Sequence, residues 1–582
     1  MDSLMNVLDA VNGVLWHRIV LFVLLGTGLL FTVWTRFGQA RALTHGVAVI
    51  RGKYDRKGDP GAINHFQALS AALSATVGLG NIAGVAIAIS LGGPGAVFWM
   101  WVTGFIGMAL KMTEVTQAML YRNTDDPENP HGGAMWVCKK GFARAHRRLA
   151  PVGTLVGAVF CVTLLISTVT GGNMFQAWNV ADITFSYFGV PKIVSGIIMT
   201  VLVGLVIVGG IKRIGSVSGR LVPFMCLLYI LAGLYVIAAD IEKVPEMFGL
   251  IFRGAFSPTE GVGAFLGGTF GYVFLKGMQR ALFSNEAGQG SAPIAHSAAK
   301  TDEPVREGVV AGLEPFVDTI CVCTITAVVI LLSGAWNRGP GLRFDEPPRI
   351  VQASQAAGAA REWTLEPTPV SVRDETEASH QMFSRQEVFV VLKAHENAVT
   401  GLDRHRLNGT LERAPDGTWM VRWRTFRSDR PPEIAVDGVY FDFKGATLTA
   451  KAYDRALPGL GYWIVPATAW LFAISTMISW SYYGEQGMVY LLGLRSVMAY
   501  RVLYCLLILA AASPLLSTQN QLDIISTLGT GVMLWANIPI MLLFGRQAMG
   551  SYRDYMGRLE AGAFKTRAYP KIRDVVDGRD VR

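Results

Sequence analysis

Long runs of apolar residues, separated by short polar connections, make up most of the chain. The stretches 197–210 and 221–239 contain no charged residue. An α-helix needs about 20 apolar residues to cross a hydrocarbon layer of ~30 Å, and stretches of this kind recur along the chain. The pattern predicts an all-α polytopic membrane protein with about eleven spans, at residues 15–35, 65–89, 95–120, 151–175, 192–211, 219–240, 262–283, 308–333, 460–481, 497–513 and 524–545.

Residues 338–457 interrupt this pattern, because charged residues are frequent there and long apolar runs are missing. Short stretches that alternate apolar and polar residues predict strands, and Ala-Pro-Asp-Gly at 414–417 predicts a hairpin turn. We therefore expect a small β-rich insert between the eighth and ninth spans. Its predicted strands are 387–393, 410–413, 418–426, 439–443 and 446–452.

The distribution of positive charge predicts the orientation. Lys and Arg cluster in the connections after the first, third and fifth spans and in the C-terminal tail. Because cytoplasmic loops are enriched in these residues, we expect the N-terminus and the insert outside and the C-terminus in the cytoplasm. The expected domains are a first transmembrane part (1–337), the extracytoplasmic insert (338–457), a second transmembrane part (458–546) and a basic cytoplasmic tail (547–582).

Composition supports a membrane protein and argues against other classes. Charged residues make up 16% of the 582 residues, against about 25% in a soluble domain. The basic connections account for the net charge of +9, so nucleic acid is not an expected partner. The six cysteines match no zinc or disulfide framework. The N-terminus lacks a secretory signal, and we expect a multi-pass protein of a bacterial-type inner membrane.

The second predicted span contains an unusual cluster, Gly78-Leu79-Gly80-Asn81. Glycine weakens a helix, and a polar Asn at mid-membrane needs a partner, so the cluster predicts an interrupted helix. A break frees backbone N–H groups that suit a carboxylate and carbonyl groups that suit a cation. Small residues also allow close packing of helices, and only the added Asn81 favours a break over that alternative.

The seventh predicted span begins with a second glycine cluster, which includes Gly267, Gly268 and Thr269. Two glycine-interrupted spans, five spans apart, are typical of transporters built from inverted repeats. The two halves of the chain share no convincing sequence identity. The repeat is therefore predicted only from the placement of the two clusters.

Three motifs carry a resemblance to a known family. They read ATVGLGNIAGVAIAISLGGPGAVFWMWVTGFIGMALKMTE at 75–114, LFSNEAGQGSAPIAH at 282–296 and FAISTMISWSYYGE at 472–485. With them, residues 60–336 and 458–545 resemble the alanine or glycine:cation symporter family, and the insert lies outside that resemblance. The resemblance implies a LeuT-like fold of two inverted five-helix repeats, preceded here by one extra helix. The second and seventh spans would then be the two broken helices.

The resemblance also implies site residues for an amino acid and for Na⁺. Amides near Leu79 and Gly80 would hold the substrate carboxylate, and Gln176 would touch the substrate. Three residues would complete the pocket from the other broken helix: Gly267, Gly268 and Thr269. Asn81 and the carbonyl of Thr76 would bind one Na⁺, and a second Na⁺ would lie between the carbonyls of Ser74 and Val77 and the hydroxyls of Ser475 and Thr476. All of these ion ligands are oxygens, as a hard cation prefers.

Some positions differ from the family pattern or leave a choice. Leu79 stands where Thr is common, Gln289 where Leu is common, and Ala281 where Gly is common. These differences put strict use of alanine or glycine in doubt. Two intramembrane charges have more than one expected role: Lys276 snorkels or pairs with Asp318, and Glu114 pairs with Lys111 or Arg280.

Several functions compete with a Na⁺-coupled symporter of a small neutral amino acid. The first is H⁺ coupling or a different substrate such as glutamine, and the second is a sensor that kept a transporter fold and reads ligands with its insert. A channel is disfavoured because two broken helices favour an occluded site. An enzyme is disfavoured because the motif at 284–296 has no Gly-x-Ser-x-Gly elbow and no metal-ligand spacing. We expect no organic cofactor, and the insert is a candidate surface for a periplasmic partner.

Overall fold

Helices account for most of the computed structural model, which describes residues 2–56, 58–354, 361–374, 382, 386–396, 402–513 and 519–578. Within that part of the chain, 7 helices are long and apolar enough to cross a membrane, or 9 if each of two bent pairs is one span. The predicted class of a helical multi-pass membrane protein is confirmed. The figure of eleven spans stays a prediction. Residues 355–360, 375–381, 383–385 and 397–401 of the predicted insert and 579–582 of the predicted tail lie outside the described residues.

The N-terminal quarter of the chain contains two bent spans and one straight one. Helices α1 to α8 are Asp2–Leu15, Arg18–Trp34, Gly38–Arg41, Val47–Ile50, His65–Thr76, Val85–Gly92, Gly95–Tyr121 and Ala134–Ala145. π-Helical turns at Ala42–Gly46 and Gly80–Gly84 precede α4 and α6. Helix α5 begins at Asn64, whose side chain accepts a hydrogen bond from the Gln67 N–H group at 2.8 Å and so caps the helix.

The next part of the chain forms two more spans, a shorter apolar helix and one peripheral helix. Helices α9 to α13 are Ala150–Val169, Phe175–Phe188, Lys192–Ile207, Gly210–Ala239 and Val244–Phe256. A π-helical turn at Thr170–Met174 joins α9 to α10, and the resulting helix runs over 42 residues from Arg147 to Phe188. Short 3₁₀ turns at Arg147–Leu149 and Ile241–Lys243 precede α9 and α13.

A short hairpin precedes the seventh span. Strands β1 (Thr259–Val262) and β2 (Phe265–Gly268) pair antiparallel, with Val262 opposite Phe265. Helices α14 to α18 follow: Phe270–Asn285, Ala292–His296, Pro304–Ala311, Leu313–Pro315 and Thr324–Leu332. The last three, with the π-helical segment Phe316–Cys323, form one span from Pro304 to Leu332.

Strands fill the region between Leu342 and Phe441. Strands β3 to β12 are Leu342–Phe344, Ile350–Ser354, Arg361–Leu365, Thr368–Val372, Glu387–Lys393, Arg404–Arg413, Trp419–Trp423, Phe426–Ser428, Glu433–Ile434 and Tyr440–Phe441. In the described residues they form one sheet in the order β11-β7-β8-β9-β6-β3, with β12 beside β7, and a second sheet in the order β10-β5-β4. The turn predicted at 414–417 joins β8 to β9, and Gly417 adopts a φ of 91° there.

Strand β7 is buried on both faces. Val388, Val390 and Leu392 face the core of the insert, whereas Phe389 and Val391 cluster with Ala264 of the β1–β2 hairpin. Period-two alternation explains this division, because successive side chains of a strand point to opposite faces. The insert therefore packs directly on the hairpin that leads into α14.

The C-terminal part returns to helices and corrects one predicted strand. Helices α19 to α23 are Ala446–Ala456, Leu460–Leu492, Val497–Ala511, Gln519–Glu560 and Ile572–Asp577, with 3₁₀ turns at Ala335–Asn337 and Leu494–Ser496. The prediction of a strand at 446–452 is wrong, because α19 covers it. That stretch contains three alanines, which favour helix, and it is buried on nearly all sides.

Candidate functional site

The second predicted span is interrupted where its glycines and Asn81 stand. Helix α5 ends at Thr76, a π-helical turn begins at Gly80, and the two halves differ in direction by 49°. The Asn81 side-chain oxygen accepts a hydrogen bond from the Gly78 N–H group at 2.9 Å. This bond satisfies a backbone donor that the break leaves without a helical partner. The predicted break is confirmed.

The second break lies after α14 and not at the predicted glycines. The chain leaves the helix at Glu286, whose φ is 55°, and it has a φ of 80° at Gly288 and 79° at Gly290 before α15 begins. Only glycine adopts such angles freely, and Pro293 suits the first turn of the following helix. The sequence Gly-x-Gly-Ser-x-Pro at 288–293 was therefore the signal for the break.

Gly267, Gly268 and Thr269 lie elsewhere, and the prediction that they interrupt the seventh span is wrong. Gly267 and Gly268 belong to strand β2, and Thr269 is the residue at which α14 starts. Glycines in a hairpin allow tight turns and close packing of its backbone, so their clustering here did not mark a broken helix. Their assignment to the substrate pocket stays untested, and none of the three lines the cavity between the breaks.

A small cavity lies between the two breaks. It is small, because the centre of a water molecule can move through only about 20 Å³ of it. Its walls come from both broken spans and from α9, α10, α20 and α22. The lining residues are Ala75, Thr76, Gly78, Gly80, Ser167, Gly171, Gln176, Phe283, Glu286, Gln289, Trp480 and Thr530.

The cavity offers groups for both ends of a zwitterion. Its wall includes Gly80, where the second half-helix begins with its positive dipole end, and Gln176, whose oxygen accepts a hydrogen bond from the Leu79 N–H group at 3.2 Å. It also includes the carboxylate of Glu286, which accepts hydrogen bonds from Trp480 Nε1 at 3.0 Å and from Ser291 Oγ at 2.5 Å. Sequence reasoning did not assign Glu286 or Gln289 to the pocket.

Hydroxyl and carbonyl oxygens meet between α5 and α20, where the second Na⁺ is expected. Ser74 Oγ lies 2.7 Å from both the hydroxyl and the carbonyl oxygen of Ser475, and Ser475 Oγ lies 3.5 Å from the Ser74 carbonyl. Thr476 Oγ1 is buried and has no hydrogen-bond partner among the described residues, and it sits so close to Gly78 that no Cβ fits there. Val77, the C-cap of α5, lies at the same break. The structure thus brings these predicted ligands together.

Asn81, expected at the first Na⁺, contacts a carboxylate that sequence reasoning left out of the site. Its side-chain nitrogen donates to Asp318 Oδ1 at 2.6 Å. Ser284 Oγ donates to the same oxygen at 3.0 Å, and Thr319 Oγ1 donates to Asp318 Oδ2 at 2.7 Å. The hydroxyl of Thr76 makes only long contacts within its own helix, at 3.4 Å. A carboxylate in an apolar span was the signal for Asp318.

The intramembrane pairs expected for Glu114 differ from those in the structure. Lys111 Nζ bonds to Glu314 at 3.2 Å. Glu114 Oε2 instead accepts hydrogen bonds from the Gly290 N–H group at 3.1 Å and from Asn537 Nδ2 at 3.0 Å. Glu114 therefore anchors the second break to α7 and α22.

The two broken spans stand five spans apart and face each other across one cavity, as the predicted LeuT-like fold requires. A solved crystal structure, that of MhsT in complex with L-phenylalanine, matches with a TM-score of 0.49 and 13% identity over 84% of this chain and 90% of that one.

Two of three sequence relatives cover the chain almost from end to end. The sodium/alanine symporter AgcS of Methanococcus maripaludis is 33% identical over 93% of this chain and 95% of its own length. The putative sodium/proton-dependent alanine carrier protein YrbD of Bacillus subtilis is 29% identical over 95% of this chain and 93% of its own. The probable sodium/glutamine symporter GlnT of Bacillus subtilis is 36% identical over 58% of this chain and 67% of its own length.

The sodium:alanine symporter family matches residues 1–358 and 434–569, so that the middle of the strand-rich region and the last residues fall outside the match. The chain therefore belongs to the sodium:alanine symporter family and is a membrane transporter that couples an amino acid to a cation, not an enzyme.

Proposed function

We propose that the protein is a secondary active transporter that carries a small neutral amino acid together with Na⁺ across the inner membrane. The observation that carries the proposal is the small cavity between the two breaks, whose wall includes both a half-helix N-terminus at Gly80 and the carboxylate of Glu286. An amino-acid zwitterion carries its carboxylate and its ammonium group a short distance apart, so its site needs a positive and a negative group close together. Alternating access would open the cavity to one face of the membrane at a time.

Na⁺ is the proposed co-transported ion, and the donor set suits it. The oxygens of Ser74 and Ser475 lie 2.7 Å apart, and the proposed ligands Thr76, Val77 and Thr476 adjoin the same break. Hydroxyl, carbonyl and carboxylate oxygens are the ligands that hard cations prefer. We extend the proposed site around Asn81 to Asp318, whose negative charge would balance that of the ion.

The substrate is proposed to be alanine-like, with glutamine as the alternative. Relatives named for sodium/alanine and for sodium/glutamine transport support both. A small cavity favours the smaller amino acid, whereas the polar side chains of Gln289, Ser167 and Thr530 in its wall favour a polar one. Gln176, Leu79 and Gly80 would hold the carboxylate of either.

We infer from the positive charges of the connections that the N-terminus faces outward and the C-terminus faces the cytoplasm. The strand-rich region then lies outside the membrane on the periplasmic side. There it is available to a periplasmic partner.

The test is uptake of labelled alanine, glycine and glutamine into proteoliposomes under an inward Na⁺ gradient, a K⁺ gradient or a pH gradient. Na⁺-driven accumulation of one of the three supports the proposal and identifies the substrate. Accumulation driven only by the pH gradient would overturn the assignment of the ion. Folded protein that accumulates none of them under any gradient would overturn transport of these substrates and favour the sensor.

A further inference from the structure

The part of the chain after α22 folds back onto the start of the first broken span. We call the stretch 563–578, which includes the short helix α23, the C-terminal segment. It crosses the connection between α4 and α5 and ends beside the first turn of α5. The residues that line the cavity and the proposed Na⁺ ligands all lie on other elements. Binding of the substrate and the ion therefore does not account for this placement.

The C-terminal segment is anchored at its beginning by Phe564. This side chain is 8% exposed, and its ring centroid lies 4.7 Å from that of Tyr555 in α22. The Arg306 guanidinium of α16 lies 5.5 Å from the same ring centroid, within the range of a cation–π contact. These contacts do not involve α5, so they hold the beginning of the segment independently of that helix.

The middle of the segment is bound to the connection before α5. The Arg567 N–H group donates a hydrogen bond to the Lys53 carbonyl at 3.0 Å, and the Arg567 side chain donates to Asp55 Oδ2 at 3.1 Å. The Arg51 guanidinium lies 4.2 Å from the ring centroid of Tyr569. Polar and charged groups thus hold the segment against the chain that leads into the first broken span.

The end of the segment contacts α5 itself. Asn64 caps α5, because its side-chain oxygen accepts from the Gln67 N–H group, and its side-chain nitrogen donates to the Val575 carbonyl of α23 at 2.7 Å. Arg220 of α12 donates to Asp577 Oδ1 at 2.8 Å. Helix α23 therefore ties the start of α5 to α12.

The contacts of the segment with α5 and α12 are few and mostly exposed to solvent. Tyr569 is 45% exposed, Ile572 is 76% exposed, and the Arg220 side chain is 60% exposed. None of the six residues of α23 is buried. Ion pairs between exposed groups contribute little to stability and weaken with salt. The end of the segment is therefore held weakly enough to detach and rebind, whereas Phe564 keeps it near its site.

Helix α5 separates the cavity from the face of the protein that carries the C-terminal segment. Ala75 and Thr76, at one end of the helix, line the cavity, and Asn64, at the other end, holds α23. The break that follows Thr76 gives the helix a hinge. An opening of the cavity toward this face requires α5 to swing away from its neighbours, and a segment that ties it to α12 opposes that movement.

We propose that the C-terminal segment is a latch that holds the cavity closed toward the cytoplasm, and that α5 swings open after the latch has detached from Asn64 and Arg220. The inference rests on the proposed function and on its orientation, which places this face in the cytoplasm. Because Arg220 and Arg567 pair with carboxylates at an exposed surface, salt on this side weakens the latch.

The experiment measures hydrogen–deuterium exchange of the backbone amides in the purified full-length protein and in variants of the latch. A chain that ends at Thr566 keeps the Phe564 anchor and lacks the rest of the segment. In this variant we expect the exchange of residues 65–76 in α5 and of residues 283–290 across the cavity to rise several-fold, because both become accessible when the cavity opens. Arg567→Gln and Asp577→Asn, which each remove one charge of the latch, should give smaller increases in the same direction.

Lys571→Gln is the matched control. Lys571 precedes α23, is exposed and forms none of the described contacts of the latch, so the variant should exchange as the wild type does. Exchange that rises as much in Lys571→Gln as in Arg567→Gln and Asp577→Asn would contradict the assigned contacts.

Uptake by the same proteins into proteoliposomes separates the latch from the proposed function. Na⁺-driven accumulation together with unchanged exchange in the shortened chain would overturn the latch and leave the proposed function standing. A rise confined to residues 51–56 would mean that the segment docks without restraining α5, and it would overturn the latch as well. Increased exchange at both 65–76 and 283–290, in protein that accumulates none of the amino acids, would support the latch and contradict the proposed function.

Discussion

Asn81 connects the break in the second span to the rest of the site. Its oxygen holds the Gly78 N–H group, and its nitrogen holds Asp318, so one amide spans two elements. The residue is fully buried, and its polar atoms cannot exchange these partners for water. A single side chain thereby couples the shape of the break to the proposed Na⁺ site.

The variant Asn81→Ala should raise the Na⁺ concentration needed for half-maximal uptake by about tenfold. Loss of one buried polar partner costs about 1–3 kcal/mol, and ~1.4 kcal/mol corresponds to a factor of ten. Initial rates of uptake against Na⁺ concentration measure the change. Asn179→Ala is the control, because Asn179 bonds only within its own helix, to the Phe175 carbonyl at 2.8 Å. An unchanged Na⁺ requirement in Asn81→Ala would remove this residue from the ion site.

Asp318→Asn tests whether the carboxylate beside Asn81 balances the charge of the ion. The substitution keeps the size of the side chain and removes its negative charge. We expect the Na⁺ requirement to rise more than in Asn81→Ala, because a charge close to a buried ion contributes more than a neutral amide does. Direct binding of Na⁺ to the purified protein, followed by calorimetry, measures it. Equal affinity in the variant and the wild type would place the ion elsewhere.

Gln289 should influence the substrate preference more than Leu79 does. Gln289 lines the cavity and donates a hydrogen bond to the Leu282 carbonyl at 2.7 Å, whereas the Leu79 side chain is buried behind the break and is not among the lining residues. We expect Gln289→Leu to lower uptake of glutamine relative to alanine. Leu79→Thr should leave the ranking of the two nearly unchanged. Competition of each amino acid against a labelled substrate measures the ranking, and the opposite pattern would contradict the assigned lining.

At the scale of elements, sequence patterns predicted the first break and missed the second. Gly78, Gly80 and Asn81 stand in mid-span, and an interruption of the helix accounts for all three residues together. Gly267 and Gly268 resembled this pattern, but they belong to strand β2 of the hairpin that precedes the span. The actual second break is formed by Gly288 and Gly290. A sequence motif can suggest the position of this break, but the backbone angles that form it are determined only in the folded chain.

The predicted strands show the same limit of local patterns. The strand predicted at 387–393 coincides with β7, because a short run of five apolar residues, rich in valine and flanked by charged residues, suits a strand that is buried on both faces. The stretch 446–452 alternates apolar and polar residues as well, yet it forms α19. It packs between spans, where its alanines would be buried in a helix and in a strand alike, so the alternation does not favour a strand. The proposed ion ligands on distant spans, such as Asp318 beside Asn81, depend on tertiary contacts that no local pattern contains.

Gly290→Ala should destabilise the second break. Gly290 has a φ of 79°, and an added Cβ would lie 2.8 Å from Asn537 Cγ. A left-handed conformation costs a residue with a Cβ about 1–2 kcal/mol, and the clash adds to this cost. We expect a lower temperature of unfolding in detergent and a lower rate of uptake. Gly271→Ala is the control, because a Cβ there meets nothing within 4 Å, and an equal loss in both variants would contradict the argument.

At the scale of the molecule, the strand-rich insert contacts the hairpin that leads into α14, and the helix that follows the insert contacts the first broken span. Arg406 of β8 donates a hydrogen bond to the Ala264 carbonyl at 2.9 Å, in the hairpin that leads into α14. Thr449 of α19, which follows the insert, donates to the Ile82 carbonyl at 2.9 Å, just after the first break. A rigid insert in this position would resist relative movement of the two spans. It is therefore placed to set the rate of transport without touching the substrate.

Removal of the insert should leave Na⁺-coupled transport in place and change only its rate. Leu342 and Val439 exchange both backbone hydrogen bonds, at 3.0 and 2.8 Å, so an Asn-Gly turn can replace residues 343–438. The proposed Na⁺ ligands lie on other elements, and we expect the half-maximal Na⁺ concentration to stay the same while the maximal rate changes. Insertion of the same two residues between Asp416 and Gly417, in an exposed turn, is the control. A folded deletion variant with a several-fold higher Na⁺ requirement would mean that the insert shapes the ion site itself, through the hairpin and α14.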